Sequence, residues 1–135
     1  MEPRFLLDTN ICIYIRQKKP QTVLRRFNAL TPGEAVLSVI TFGELLYGAE
    51  KSAHRTTVLL QLQELARWLP VLALPEAAAA AYGAIRAELE RRGQMIGNND
   101  LWIAAHARAA ELTVVTDNER EFRSVRGLKL ENWAV

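Results

Sequence analysis

The chain has 135 residues, half of them apolar and about a quarter charged, with 17 basic residues against 15 acids and a net charge of +2. That size and balance suit a single folded unit over 1–135, and the mild positive charge permits a polyanionic partner without demanding one. One cysteine, Cys12, excludes an internal disulfide and a cysteine metal cluster, and fits a reducing cytoplasm.

An apolar run, Arg4-Phe5-Leu6-Leu7, ends on Asp8 and predicts a first buried strand. A helix follows over 9–17 and stops at Lys18-Lys19-Pro20. Val23, Leu24 and Phe27 give a second helix over 21–30 one face, and Thr31-Pro32-Gly33 is a turn. Ala35 to Ser38 reads as a second strand. A helix from near Thr41 to near Ser52 comes next, then an amphipathic helix over 54–68. Leu69 to Leu74 is the third strand. Pro75 starts an alanine-rich helix that continues to about Arg92. After the loop 93–97, Asn98 and Asn99 are placed to cap a helix from Asp100 to Ala110. Leu112 to Thr116 is a fourth strand, 117–122 a short helix, and 128–130 a short last strand. The N-terminus shows no secretion signal, and Pro70, Pro75 and Glu76 interrupt the most apolar stretch, which argues against a membrane span.

Strands alternating with helices predict a largely parallel sheet covered on both faces, with ligands held outside the carboxyl ends of the strands. That topology brings four acidic stretches to one edge. Asp8 ends the first strand, Glu44 and Asp100 lie in first helical turns, and Asp117, Glu119 and Glu121 follow the fourth strand. Taken singly, each acid only offsets a helix dipole. Together they repel one another and call for a hard cation with oxygen ligands, magnesium or manganese. Such a site activates water at a phosphodiester. No glycine-rich phosphate loop ending in Gly-Lys-Ser/Thr and no Gly-x-Ser-x-Gly elbow occurs.

The stretches FLLDTNICIY at 5–14, TFGELLYGAEKS at 41–52 and IRAELERRGQMIGNNDLWIAAHA at 85–107, with VVTDNEREF and GLKLENW toward the end, resemble the PIN-domain ribonucleases. Within them they are most similar to the VapC-type toxins of toxin–antitoxin pairs. The resemblance implies a three-layer α/β/α sandwich around a mostly parallel, twisted sheet of four or five strands. It implies a metal-dependent endoribonuclease whose metal-binding and catalytic acids are Asp8, Glu44, Asp100 and a fourth. Asn118 stands where many relatives have that fourth acid, so it lies with Glu121, as the close relatives imply, or with Asp117. Thr9, Asn10, Thr116, Asp117 and Asn118 are implied to orient the acids. The resemblance further implies a VapB-type antitoxin as partner, a homodimer, and RNA as substrate, with initiator tRNA cut in its anticodon stem-loop as the specific expectation. Arg86, Arg91 and Arg92 are candidate phosphate contacts. Apolar positions Leu59, Leu60, Leu62, Leu65 and Trp68 exceed what the 41–68 helical pair needs for packing on one sheet, and suggest a partner surface. A catalytically silent binding module of the same fold, or a DNA nuclease, would share most of these features.

Overall fold

The computed structural model describes residues 2–135. In chain order the elements are β1 (Phe5–Leu7), α1 (Thr9–Gln17), α2 (Gln21–Asn28), β2 (Ala35–Ser38), α3 (Val39–Glu50), α4 (Arg55–Trp68), β3 (Val71–Leu72), α5 (Ala77–Arg91), α6 (Asn98–Ala110), β4 (Thr113–Val115), α7 (Glu119–Phe122) and β5 (Leu130–Glu131). The strands form one sheet in the order β3-β2-β1-β4-β5. Every neighbouring pair is parallel, so the expected mostly parallel sheet of four or five strands is a wholly parallel one of five.

Side-chain alternation sorts the layers. Phe5, Leu7, Ala35, Leu37 and Val115 point to one face, where Ile11, Cys12, Ile15, Val23, Leu45, Ala49, Leu62 and Leu65 from α1 to α4 meet them. Leu6, Val36 and Val114 point to the other, against Ala78, Ile85, Leu89, Leu101, Ala104 and Phe122 from α5, α6 and α7. Burial on both faces explains why the strands are near-continuous apolar runs rather than alternating ones.

The order of strands reverses at β1. The chain builds outward through β2 to β3, then returns past β1 to add β4 and β5. β1 is therefore flanked on both sides, with Leu6 opposite Val36 on one and Val114 on the other. Clefts open outside the carboxyl ends of strands at such a reversal.

Helices α5 and α6 run side by side in the same direction. Tyr82 of α5 stacks on Trp102 of α6 at 3.9 Å between ring centroids and donates to Asn98 Oδ1 at 2.6 Å. Their far ends converge on 124–126, where Arg92 donates to the Ser124 carbonyl and Arg108 to that of Arg126. The loop 93–97 thus runs back along α5 to the level of Tyr82. Gly93, at φ +66, makes the reversal with a conformation that a side chain disfavours.

Several boundaries differ from the sequence reading. Helix α3 starts at Val39, two residues early, because Ser38 caps it by accepting the Ile40 N–H at 3.1 Å. Strand β3 shrinks to Val71–Leu72, between Pro70 and Leu74-Pro75, since proline cannot extend the ladder. Gly97 takes the cap position of α6, and Asn98 and Asn99 lie within its first turn. β5 comes two residues later than expected. Among the described residues, no helix is long and apolar enough to cross a membrane.

Candidate active site

Asp8 leaves β1 with its backbone N–H still in the ladder, bonded to the Val115 carbonyl at 3.0 Å. Its carboxylate does two local tasks. Oδ1 accepts the Asn10 N–H at 2.9 Å and caps α1; Oδ2 accepts the Thr116 hydroxyl at 2.5 Å from the end of β4. The Thr116 oxygen in turn accepts the Asn118 N–H at 2.9 Å. Glu44, on the second turn of α3, accepts the Thr9 hydroxyl at 2.9 Å. Asp100 sits in the first turn of α6. Together with Thr9, Asn10, Thr41, Ile103 and Asn118, these three acids wall one cavity of about 220 Å³.

The cavity is short of positive charge. Burial raises the Asp8 carboxyl above its ordinary value; the Thr116 and Asn10 hydrogen bonds lower it, and the charges of Asp117 and Glu44 raise it again. Asp100 is pushed up to about 6, first by burial and then by the charges of Asp8, Glu121 and Glu44. Glu121 is therefore near enough to be felt, although it stands off the cavity wall.

Asp117 is differently placed. One carboxylate oxygen accepts Asn10 Nδ2 at 3.2 Å and the other accepts the Tyr14 hydroxyl. That bond holds the Tyr14 phenol above its usual range. Of the two candidates for a fourth acid, Asp117 has both oxygens engaged within the protein.

Sequence reasoning missed Tyr14, Thr41 and Ser38. Tyr14 reads as one more apolar helix position, and Ser38 as the end of a strand. Ser38 is fully buried and lies 3.0 Å from His106 Nδ1. Burial holds His106 below its ordinary pKa. The Ser38 hydroxyl has two partners, the Ile40 N–H and His106 Nδ1. The bond to His106 ties α6, which carries Asp100, to the start of α3, which carries Glu44. Cys12 is buried beneath the site, its thiol pushed well up by burial and by the Asp8 charge, and is an inert packing residue.

The three candidate arginines stand away from the acid cavity. Arg91 and Arg92 end α5, at the far end of that helix from Asp100, and Arg92 is committed to the Ser124 carbonyl. Arg86, mid-helix, donates to the Tyr82 hydroxyl at 2.8 Å and to Glu90 at 3.4 Å. None of the three lines the acid cavity.

At the amino end of the sheet lies a contrasting surface. Two cavities of about 390 and 460 Å³ share Phe27 and Trp68. Of the five apolar positions expected to exceed core packing, Leu62 and Leu65 are buried and Leu59 packs on the core. Only Leu60 and Trp68 are exposed, at 61% and 53%.

The donors around the acid cavity are all oxygen, which suits a hard cation. Among the described residues, no three acidic, histidine or cysteine side chains converge tightly enough to enclose an ion by themselves. The acids instead ring a space large enough for waters. Magnesium, which keeps several waters in its shell, fits that arrangement.

Comparison with known proteins adds to this geometry. The family model described as PIN domain matches residues 5–128. A Shigella flexneri protein named tRNA(fMet)-specific endonuclease VapC is 45% identical over 131 residues, spanning 97% of this chain and 98% of the relative. The Haemophilus influenzae protein named Ribonuclease VapC2 is 42% identical over 130 residues, spanning 96% and 98%. Among solved structures, DNA-bound VapBC from Salmonella typhimurium contains a chain that superposes with a TM-score of 0.91 at 41% identity, covering 97% and 98% of the two chains. VapBC2 from Rickettsia felis, bound to a promoter DNA fragment, gives 0.89 at 36% identity, covering 98% and 99%.

Proposed function

The chain belongs to the PIN-domain family and, within it, to the VapC group, and from that premise we propose that it is a magnesium-dependent endoribonuclease toxin. Its substrate is tRNA, initiator tRNA first, cut in the anticodon stem-loop with loss of translation. The observation that carries the reading is the cavity in which Asp8, Glu44 and Asp100 meet at the sheet's reversal point. A silent binding module has no use for mutually repelling acids in a half-buried cleft.

In this reading Asp8, Glu44, Asp100 and Glu121 hold the cation, manganese serving in place of magnesium. Both oxygens of Asp117 are engaged by Asn10 and Tyr14, which supports Glu121 as the fourth acid. A divalent ion there supplies Lewis acidity toward water and the scissile phosphodiester. Thr116 and Asn10 fix the Asp8 carboxylate, and Thr9 fixes that of Glu44, so the acids meet the substrate already oriented. The raised Asp100 carboxyl ionises fully once a cation is present, because the added positive charge reverses the local balance.

The partner is a VapB-type antitoxin, as in the complexes to which the chain is similar. We place its docking on the exposed Trp68 surface, and the active form is a homodimer acting in the cytoplasm. The deciding experiment incubates the purified chain with an initiator tRNA transcript, with magnesium and with a chelator. Chelator-sensitive cuts confined to the anticodon stem-loop are expected, and Asp8→Asn should make none. Binding without cutting at any magnesium concentration would select the silent module instead.

A further inference from the structure

Among the described residues, four polar ones are buried outright: Ser38, Thr41, His106 and Thr116. Three of them are satisfied. Ser38 bonds Ile40 and His106, and Thr116 bonds Asp8 and Asn118. Thr41 differs: its Oγ1 is buried and has no hydrogen-bond partner. A valine has the same shape, would pack the same space, and would avoid the cost of an unmade hydrogen bond.

Position gives the hydroxyl a purpose. Thr41 lies in the first turn of α3, one turn before Glu44 and on the same helix face. It belongs to the wall of the acid cavity, with Asp8, Glu44, Asp100, Ile103 and Asn118. The residue with the orphaned hydroxyl thus borders a polar cavity suited to an oxygen-rich ligand. Two other polar residues of the wall are already engaged: Thr9 by Glu44, and Asn10 by Asp8 and Asp117.

We propose that Thr41 is a positioning residue of the acid site, its hydroxyl bonding the hydration shell of the divalent cation held among Asp8, Glu44 and Asp100. This rests on the metal-dependent reading given above. A cation that keeps part of its water needs hydrogen-bond partners for that water as well as carboxylates for its charge. The neutral Thr41 hydroxyl supplies one without adding to the negative charge already crowding Asp100. Partners of this outer kind change metal affinity by about 10–100-fold when removed.

The test compares the wild-type chain with Thr41→Val, Thr41→Ser and Asp8→Asn by manganese binding, followed by electron paramagnetic resonance, and by thermal unfolding with and without magnesium. Thr41→Val should unfold, metal-free, no lower than wild type, bind manganese about tenfold more weakly, and show a smaller magnesium-induced rise in melting temperature. Thr41→Ser should keep the wild-type affinity even if the lost methyl group lowers its melting temperature. A folded Thr41→Val with manganese affinity within about twofold of wild type would overturn the proposal. So would equal loss of affinity in the Val and Ser forms, since that marks packing rather than the hydroxyl. If Thr41→Val does not fold, Thr41→Ala carries the same comparison. Absence of saturable manganese binding in the wild-type chain would sink the metal reading itself, a result distinct from a failure confined to Thr41.

Discussion

The two ends of the sheet are built on opposite principles. At the carboxyl end, three acids and several hydroxyl and amide groups surround one small polar cavity. At the amino end, Phe27, Leu30, Pro32, Ala35 and Trp68 line an apolar one. The difference follows from strand direction. A parallel strand ends where a helix begins, and helix starts favour acids, hydroxyls and amides. Segments entering the strands carry no such preference and can leave apolar side chains in the open. Chemistry and partner recognition can therefore sit on separate ends of one sheet and be altered independently.

The largest test of that separation uses the acids. Asp8→Asn and Asp100→Asn should each reduce RNA cleavage by at least about 10²-fold, measured as initial rates at saturating magnesium. The double substitution should cost little more than either single one, because the acids act as a unit. Antitoxin affinity should change far less than the cleavage rate. Comparable losses in both measurements would show the two ends to be coupled.

Next in size is Trp68→Ala. A half-exposed tryptophan in a partner surface costs about 2 kcal/mol or more on truncation, so antitoxin affinity should fall about 30-fold in titration calorimetry. Cleavage by the free chain should be unchanged. The same tryptophan altering the cleavage rate would break the comparison from the other side.

A smaller effect concerns charge and pH. Asp100 has a folded pKa of about 6 against an ordinary value of 3.8. The folded chain therefore binds this proton more tightly than the unfolded chain does. Metal-free stability should fall as pH rises from about 4 to about 6 through this group, and the penalty should be complete above that window. Melting temperatures taken across the window should show the decline in wild type and a weaker one in Asp100→Asn. Magnesium at pH 7 should remove most of the difference between the two forms.

The smallest expected change is Tyr14→Phe. It removes one hydrogen bond to Asp117, worth about 1 kcal/mol of stability, and should leave cleavage within about threefold of wild type. A loss as large as that of Glu121→Gln, assayed alongside, would instead return Asp117 to the set of essential acids.

Much of this was legible in the sequence, and the failures have physical causes. Phe5-Leu6-Leu7 reads as a strand buried on both faces because all three residues are apolar, and that reading carried the fold class. Asp8 was legible because it stands where an apolar run gives way to a helix, and Glu44 and Asp100 because each lies near the start of a helix on the same edge of the sheet. The start of α3 was hidden, since Val39 and Ile40 continue the apolar, β-branched run of β2 and only the buried Ser38 cap ends it. Arg91 and Arg92 are few residues from Asp100 in sequence, yet the loop 93–97 carries the chain back to the level of Tyr82 and leaves them at the other end of α5. The engagement of Asp117 by Tyr14 spans 103 positions and leaves no local trace in either segment.

The bond from Thr116 to Asp8 joins residues 108 positions apart. β1 gains its second neighbour only when β4 pairs with it, and Asp100 and Glu121 come from the last third of the chain. A ribosome making this protein releases Asp8 and Glu44 first, with nothing yet able to close the cavity around them. The acid site assembles only after β4 has emerged and crossed back beside β1, a late, long-range step in folding. A truncation just before β4 therefore releases a fragment that carries Asp8, Glu44 and Asp100 but neither Glu121 nor the Thr116 hydroxyl that fixes Asp8.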